Sequence, residues 1–355
     1  MPACGSVATA GDASESRGAA FCDGSAPCGR SDVRDAVDGT ARDLRRESSG
    51  PPERGGIVIG IHGLANKPPA DEKTRWWKAA IAEGMARNAG LADPAFRFEF
   101  VYWADLRYDA PLSEDGNREP YRPEAGTGPL PEGESAPSLT ANDVLAPVYA
   151  GIDTLEEATG VTLVDDAILE YRFDDLWHYH AEQDFARRVR ARLAERLRAF
   201  RDHRILLVAH SMGAVIAYDV LRLLEREEPG LRIDHLVTAA APLGLAKVKL
   251  KFEAEHGALR VPDNVSAWTN LADGEDVVAI MGELGADYVA SATGIALTDR
   301  RVANAYRRPD GEPNHHKSYG YLRTPEFSRI AAAYALPGSD PGAATESGTT
   351  AKVEA

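Results

Sequence analysis

Residues 205–221 read ILLVAHSMGAVIAYDVL, and they constrain the fold more than any other stretch. Ile205, Leu206, Leu207 and Val208 form a short apolar run of strand type. From Val215 the apolar positions Val215, Ile216, Val220, Leu221 and Leu224 fall at helical spacing. The chain between them, Ala209-His210-Ser211-Met212-Gly213, must therefore reverse sharply from strand into helix. A serine at the apex of such a turn is either a helix cap or a nucleophile, and this stretch alone leaves both open.

The flanking sequence predicts further strand–helix units. Ile57–Ile61 reads as a strand closed by His62-Gly63. Asp71 is placed to cap a following helix that carries Trp76, Trp77, Ala80 and Ile81. Strands are expected over 96–103, 204–209, 232–239 and 265–271, and a helix over Phe185–Phe200. The arginine-rich face of that helix reads as a solvated surface. The alternation over roughly 55–335 implies an α/β fold, a mainly parallel central sheet with helices on both faces.

Residues 1–54 and 337–355 are rich in small and polar residues and are expected to be disordered tails around a domain at 55–336. A Pro/Gly/Glu-rich stretch at 107–142, continuing into a partly helical 143–178, reads as an insertion over the domain. The three cysteines, Cys4, Cys22 and Cys28, all lie in the first tail and suggest neither a disulfide framework nor a metal site. A net charge of −15 argues against nucleic-acid binding. No apolar window is free of charged or polar groups for the length of a membrane span, and the N-terminus does not read as a signal peptide. The expectation is a cytoplasmic protein without an integral membrane segment; oligomeric state is not legible.

The strand-to-helix turn has a specific chemistry. It lifts a serine clear of the sheet and sets the next amide, Met212 N–H, at a helix N-terminus where it can face a developing oxyanion. Small residues are needed around it, and Ala209 and Gly213 supply them. A second donor is expected after an earlier strand, where Gly63 lets the backbone turn and Leu64 N–H is the candidate. An acid and then a histidine should follow on later loops. Asp273 and Asp276 follow the strand at 265–271, with Asp276 favoured because it directly precedes Val277-Val278; His315 and His316 follow later. Spacing forces neither choice. Metal binding by the histidine pair is the weaker reading, because no acidic or cysteine partner sits at ligand spacing.

The segments IVIGIHGLANKPP, VYWADL, ILLVAHSMGAVIAYDVL, TAAAPLG, WTNLADGEDVVA and NHHKSYGYLRTPEF together resemble the α/β-hydrolase superfamily, in its serine esterase and lipase branch. Ala209 stands where the usual elbow has glycine, and Val277 where the acid loop often has proline. The resemblance implies an eight-stranded α/β-hydrolase fold with a cap or lid built from the 107–178 insertion. It implies a catalytic triad of Ser211 as nucleophile, Asp276 as acid and His316 as base, the last chosen over His315 because Tyr319 follows it by three residues. It further implies an oxyanion hole from the Leu64 and Met212 amides and no cofactor. The expected substrate is a small-molecule or lipid-like ester, with His62, Gly63, His210 and Trp103 around it and several tryptophans and Leu176 as possible apolar wall. Lys67 could meet an anionic group. A thioesterase or amidase would use the same residues, and a non-catalytic scaffold of the same fold would use none.

Overall fold

In the computed structural model the described residues are 54–113, 119–124, 129–133, 175–176, 178–276, 278–279 and 283–336. Six strands, β1 (Gly56–Ile61), β2 (Phe98–Val101), β3 (Arg204–His210), β4 (His235–Ala239), β5 (Trp268–Asp273) and β6 (Leu297–Val302), form one sheet in the order β2-β1-β3-β4-β5-β6. Every neighbouring pair is parallel. The order steps outward in one direction from β1 to β2 and in the other from β3 to β6. The crevice beyond the carboxyl ends of β1 and β3 is therefore the switch point, where open parallel sheets bind ligands.

Side-chain alternation sorts the strand residues onto two faces. Ile57, Ile59, Ile61, Ile205, Leu207 and Ala209 enter one apolar core with helices α2 (Gln183–Ala199), α3 (Met212–Glu227) and α4 (Ala246–His256). Val58, Leu206, Val208, Val237 and Leu271 enter the other, with α1 (Ala70–Ala89), α5 (Ser318–Leu322) and α6 (Pro325–Ala332). Both faces are covered, so the central strands read as nearly unbroken apolar runs.

Several sequence expectations shift. Asp71 does not cap α1: the N-cap is Pro69, and Asp71 lies in the first turn, where a negative charge favours the helix dipole. The strand expected over 96–103 is regular only from Phe98 to Val101, and a short 3-10 turn follows at Ala104–Leu106. Strand β6 was not anticipated. Its interior, Thr298-Asp299-Arg300-Arg301, is polar and exposed or half-buried, as suits an edge strand, and it shows no apolar alternation. Eight strands are implied by the resemblance, and six lie among the described residues. The tails and most of the 107–178 insertion fall outside them. The described piece 119–124 of that insertion packs back onto the domain: Tyr121 stacks edge-on against Tyr319, and Glu124 pairs with Arg323.

Leu207 sits at the centre of the sheet with no exposed surface. Leu207→Ala is expected to lower the unfolding free energy by about 2–5 kcal/mol, because neighbours on both sides cannot collapse into the hole; urea-denaturation midpoints measure it.

Candidate functional site

The turn after β3 is strained. Ser211 has φ 56° and ψ −128°, a left-handed conformation that residues with a Cβ rarely adopt. Its amide donates to the Ala239 carbonyl at 2.9 Å, which ties the apex to the end of β4. The start of α3 is pressed against the end of β1. A Cβ on Gly213 would lie 2.7 Å from the Ile61 carbonyl oxygen and 2.8 Å from that of His62, so only glycine fits. Gly63 meets the serine itself: a Cβ there would lie 2.6 Å from Ser211 Cβ. Ser211 occupies the N-cap position of α3, yet its hydroxyl makes no capping hydrogen bond. The cap alternative for this serine is thus removed.

The hydroxyl instead faces an imidazole. Ser211 Oγ lies 3.1 Å from His316 Nε2. His316 Nδ1 lies 2.9 Å from both carboxylate oxygens of Asp276. A carboxylate only accepts, so the proton sits on Nδ1 and leaves the Nε2 lone pair for the serine proton. Asp276 is buried and is itself held, by Tyr321 Oη–H at 2.8 Å and by the Val278 amide at 3.0 Å. Tyr321 Oη in turn accepts from the Asp273 amide at 3.1 Å. A hydroxyl, imidazole and carboxylate in this arrangement can pass a proton from oxygen to nitrogen and stabilise the cation that results.

The alternates are occupied elsewhere. Asp273 accepts from the Glu275 amide at 2.7 Å and from the Asn304 amide, so it shapes the loops around the site. Burial, the largest influence on it, pushes its carboxyl up. His315 Nδ1 is 3.6 Å from Asp273, beyond hydrogen-bonding distance. Among the described residues, the imidazole that reaches Ser211 Oγ is that of His316.

His62 and Trp103 are buried and brace the loop after β1. The His62 Nδ1–H donates to the Gly63 carbonyl at 2.7 Å, while Nε2 accepts from the Trp103 amide at 3.0 Å. The Trp103 indole N–H donates to the His62 carbonyl at 3.0 Å, and the two rings stack. Trp103 does not line the cavity beside Ser211; the wall expected of it is supplied by Trp77. Trp177 lies outside the described residues. His62, Gly63 and His210 do line the cavity. His210 Nε2–H donates to the His316 carbonyl at 2.8 Å, which fixes the backbone of His316. Burial pushes both histidines well below 6.5, and His316 adds to the shift of His210. A neutral His210 does not oppose a positive charge on its neighbour.

Two positioning residues gave no sequence signal. Asn304, just after the unanticipated β6, donates to the carbonyls of His315 at 2.6 Å and Lys317 at 3.0 Å, clamping the chain on either side of His316. Asp175 accepts from the Ala65 amide at 2.7 Å and the Tyr108 hydroxyl at 3.0 Å, and so holds the loop that carries Leu64.

The cavity beside Ser211 has a volume of about 540 Å³ and is walled by the loop after β1, by α1 and by the histidine loop. Away from it, Asp219, Glu255 and His256 bring potential metal-ligand atoms together. Asp219 already accepts from Arg190 at 2.6 Å and His256 at 2.8 Å, so a guanidinium fills the place of a cation. No helix among the described residues is long and apolar enough to cross a membrane.

No protein-family model matches the chain, and no curated protein matches it. Among solved structures it is similar to TT1662 from Thermus thermophilus, at 14% identity over 80% of this chain and 89% of that one, with a TM-score of 0.31. The α/β assignment rests on the sheet itself.

Buried neutral histidines have a consequence for stability. In the unfolded chain His62 and His210 protonate near 6.5; in the folded protein they protonate only well below that. Their contribution is complete above 6.5 and is lost as the pH falls beneath it, by up to about 1.4 kcal/mol per pH unit per histidine. Urea midpoints at pH 7.5 and 5.5 should show that loss, and equal midpoints would contradict the neutral assignment.

Proposed function

We propose that the protein is a serine hydrolase of α/β-hydrolase type that cleaves carboxylic esters through an acyl-enzyme on Ser211. The observation that carries this reading is the continuous hydrogen-bonded run from the uncapped Ser211 hydroxyl through His316 to the buried Asp276. A serine with no task but capping would have spent its hydroxyl on α3.

In this mechanism Ser211 Oγ gives its proton to His316 Nε2 and attacks the ester carbonyl carbon. The carbonyl π electrons move to oxygen, and the tetrahedral anion sits against the amides of Leu64 and Met212. Met212 is the first residue of α3, where an amide has no acceptor within the helix. Gly63 brings the backbone before Leu64 up to the serine. Loss of one such donor typically costs about 10²–10³ in rate. The anion then collapses, the carbon–oxygen bond to the alcohol breaks, and His316 protonates the departing alkoxide. Water repeats the cycle on the acyl-enzyme, releasing acid and free serine. Asp276 stays ionised throughout and holds His316 in the required tautomer.

Ser211→Ala is expected to abolish p-nitrophenyl ester turnover and covalent labelling by a fluorophosphonate. Asp276→Asn should lower kcat by about 10³–10⁴ through the wrong imidazole tautomer. A wild-type protein that neither labels at Ser211 nor turns over any ester would mark the fold as a scaffold.

A further inference from the structure

The chain as a whole carries a net charge of −15, but the cavity beside Ser211 has a cationic wall. Among the described residues Lys67, Lys73, Lys317 and Arg308 line it, with Glu119 as the carboxylate beside them. Glu119 pairs with Lys317 and lies 3.6 Å from Arg308, so its charge is spent on that side of the cavity. Lys67 folds back over the oxyanion loop and donates to the carbonyls of Leu64 and Ala65.

Lys73 is the exceptional group. It projects from α1, is only 5% exposed, and among the described residues has no carboxylate partner. Its ammonium donates at 3.1 Å to the neutral hydroxyl of Tyr319 and sits 4.4 Å from the centre of that ring. Taking an ammonium out of water without a counter-charge is costly. Burial lowers Lys73 to about 7. Burial, and then the fields of Lys73 and Lys67, also push Lys317 down, against the opposing pull of its ion pair with Glu119. The charges of Lys73 and Lys67 thus both act on Lys317 around a cavity that opens onto the serine. An anion placed among them would relieve both the desolvation and the mutual repulsion.

We infer that the substrate is an ester bearing an anionic oxygen group, carboxylate or phosphate, seated between Lys73 and Lys67 while the ester carbonyl lies at Ser211. This rests on the hydrolase reading above and adds a substrate class to it. Charge-assisted hydrogen bonds to such a group are strong enough to set specificity by an order of magnitude.

The test compares three p-nitrophenyl esters of matched length: the neutral pentanoate, the mono-ester of glutarate, and the 4-phosphonooxybutanoate. At least one anionic ester is expected to exceed the pentanoate roughly tenfold or more in kcat/KM, and the better of the two identifies the anion. Lys73→Met should bring that ratio close to one, with the loss read mainly in KM. Lys67→Met gives a second readout should Lys73→Met fail to fold. Anionic esters cleaved no faster than the pentanoate by the wild-type protein would overturn the inference and leave the hydrolase reading standing. So would a Ser211 that labels with fluorophosphonate while none of the three esters is cleaved. Absence of both labelling and turnover would remove both.

Discussion

The contact on which the site depends is the collision, just avoided, between the end of β1 and the start of α3. Gly213 lies where any side chain would strike the carbonyls of Ile61 and His62, and Gly63 lies where one would strike Ser211. These two absences of a Cβ let the first loop and the elbow share one small space. The left-handed backbone of Ser211 is the cost, and it persists because the surrounding structure fixes it: β3 is paired on both sides, and the serine amide is bonded to β4. Relaxing this turn would point the hydroxyl along α3 as an ordinary cap.

Around that contact the sheet divides the work. Parallel order sends every strand's carboxyl end to the same edge, so loops far apart in sequence converge without any long excursion. The loop after β1 brings Gly63 against the serine, the turn after β3 the hydroxyl, the loop after β5 the carboxylate, and the segment after β6 the imidazole. The two apolar cores anchor these strands from opposite faces. A second set of polar contacts, from Asn304, Asp175, Tyr321 and His62, fixes loops that the cores do not reach.

Much of this was readable in the amino-acid sequence because it rests on local pattern. The apolar run of β3 and the helical spacing of α3 announce their turn, and small residues at 209 and 213 announce how tight it is. The residues drawn from later loops were harder: Asp273 and Asp276 are chemically alike and three positions apart, as are the adjacent His315 and His316. The apolar pair after Asp276 and the family resemblance favour Asp276 and His316, and packing then separates the acids, since Asp273 turns to the Asn304 and Glu275 amides while Asp276 faces the imidazole. β6 left no trace because an edge strand need not alternate, and Asn304 was hidden with it. Trp103 looked like a pocket wall because aromatic residues near a site often are, but its indole N–H found a carbonyl to satisfy inside the core. The buried lysine on α1 went unread because of its charge: position 73 falls on the same stripe as Trp77, Ala80 and Ile81, but a charged residue is ordinarily assigned to solvent.

The phenol of Tyr321 lies on α5, five residues beyond His316, and it grips the carboxylate that grips the imidazole. The segment between β6 and α6 therefore carries its own tether to the β5 loop. A thermal excursion of either loop drags the other along, so imidazole and carboxylate travel as a single body. The gap to the hydroxyl is spanned by a tether of its own, since His210, next to the serine, holds the His316 carbonyl.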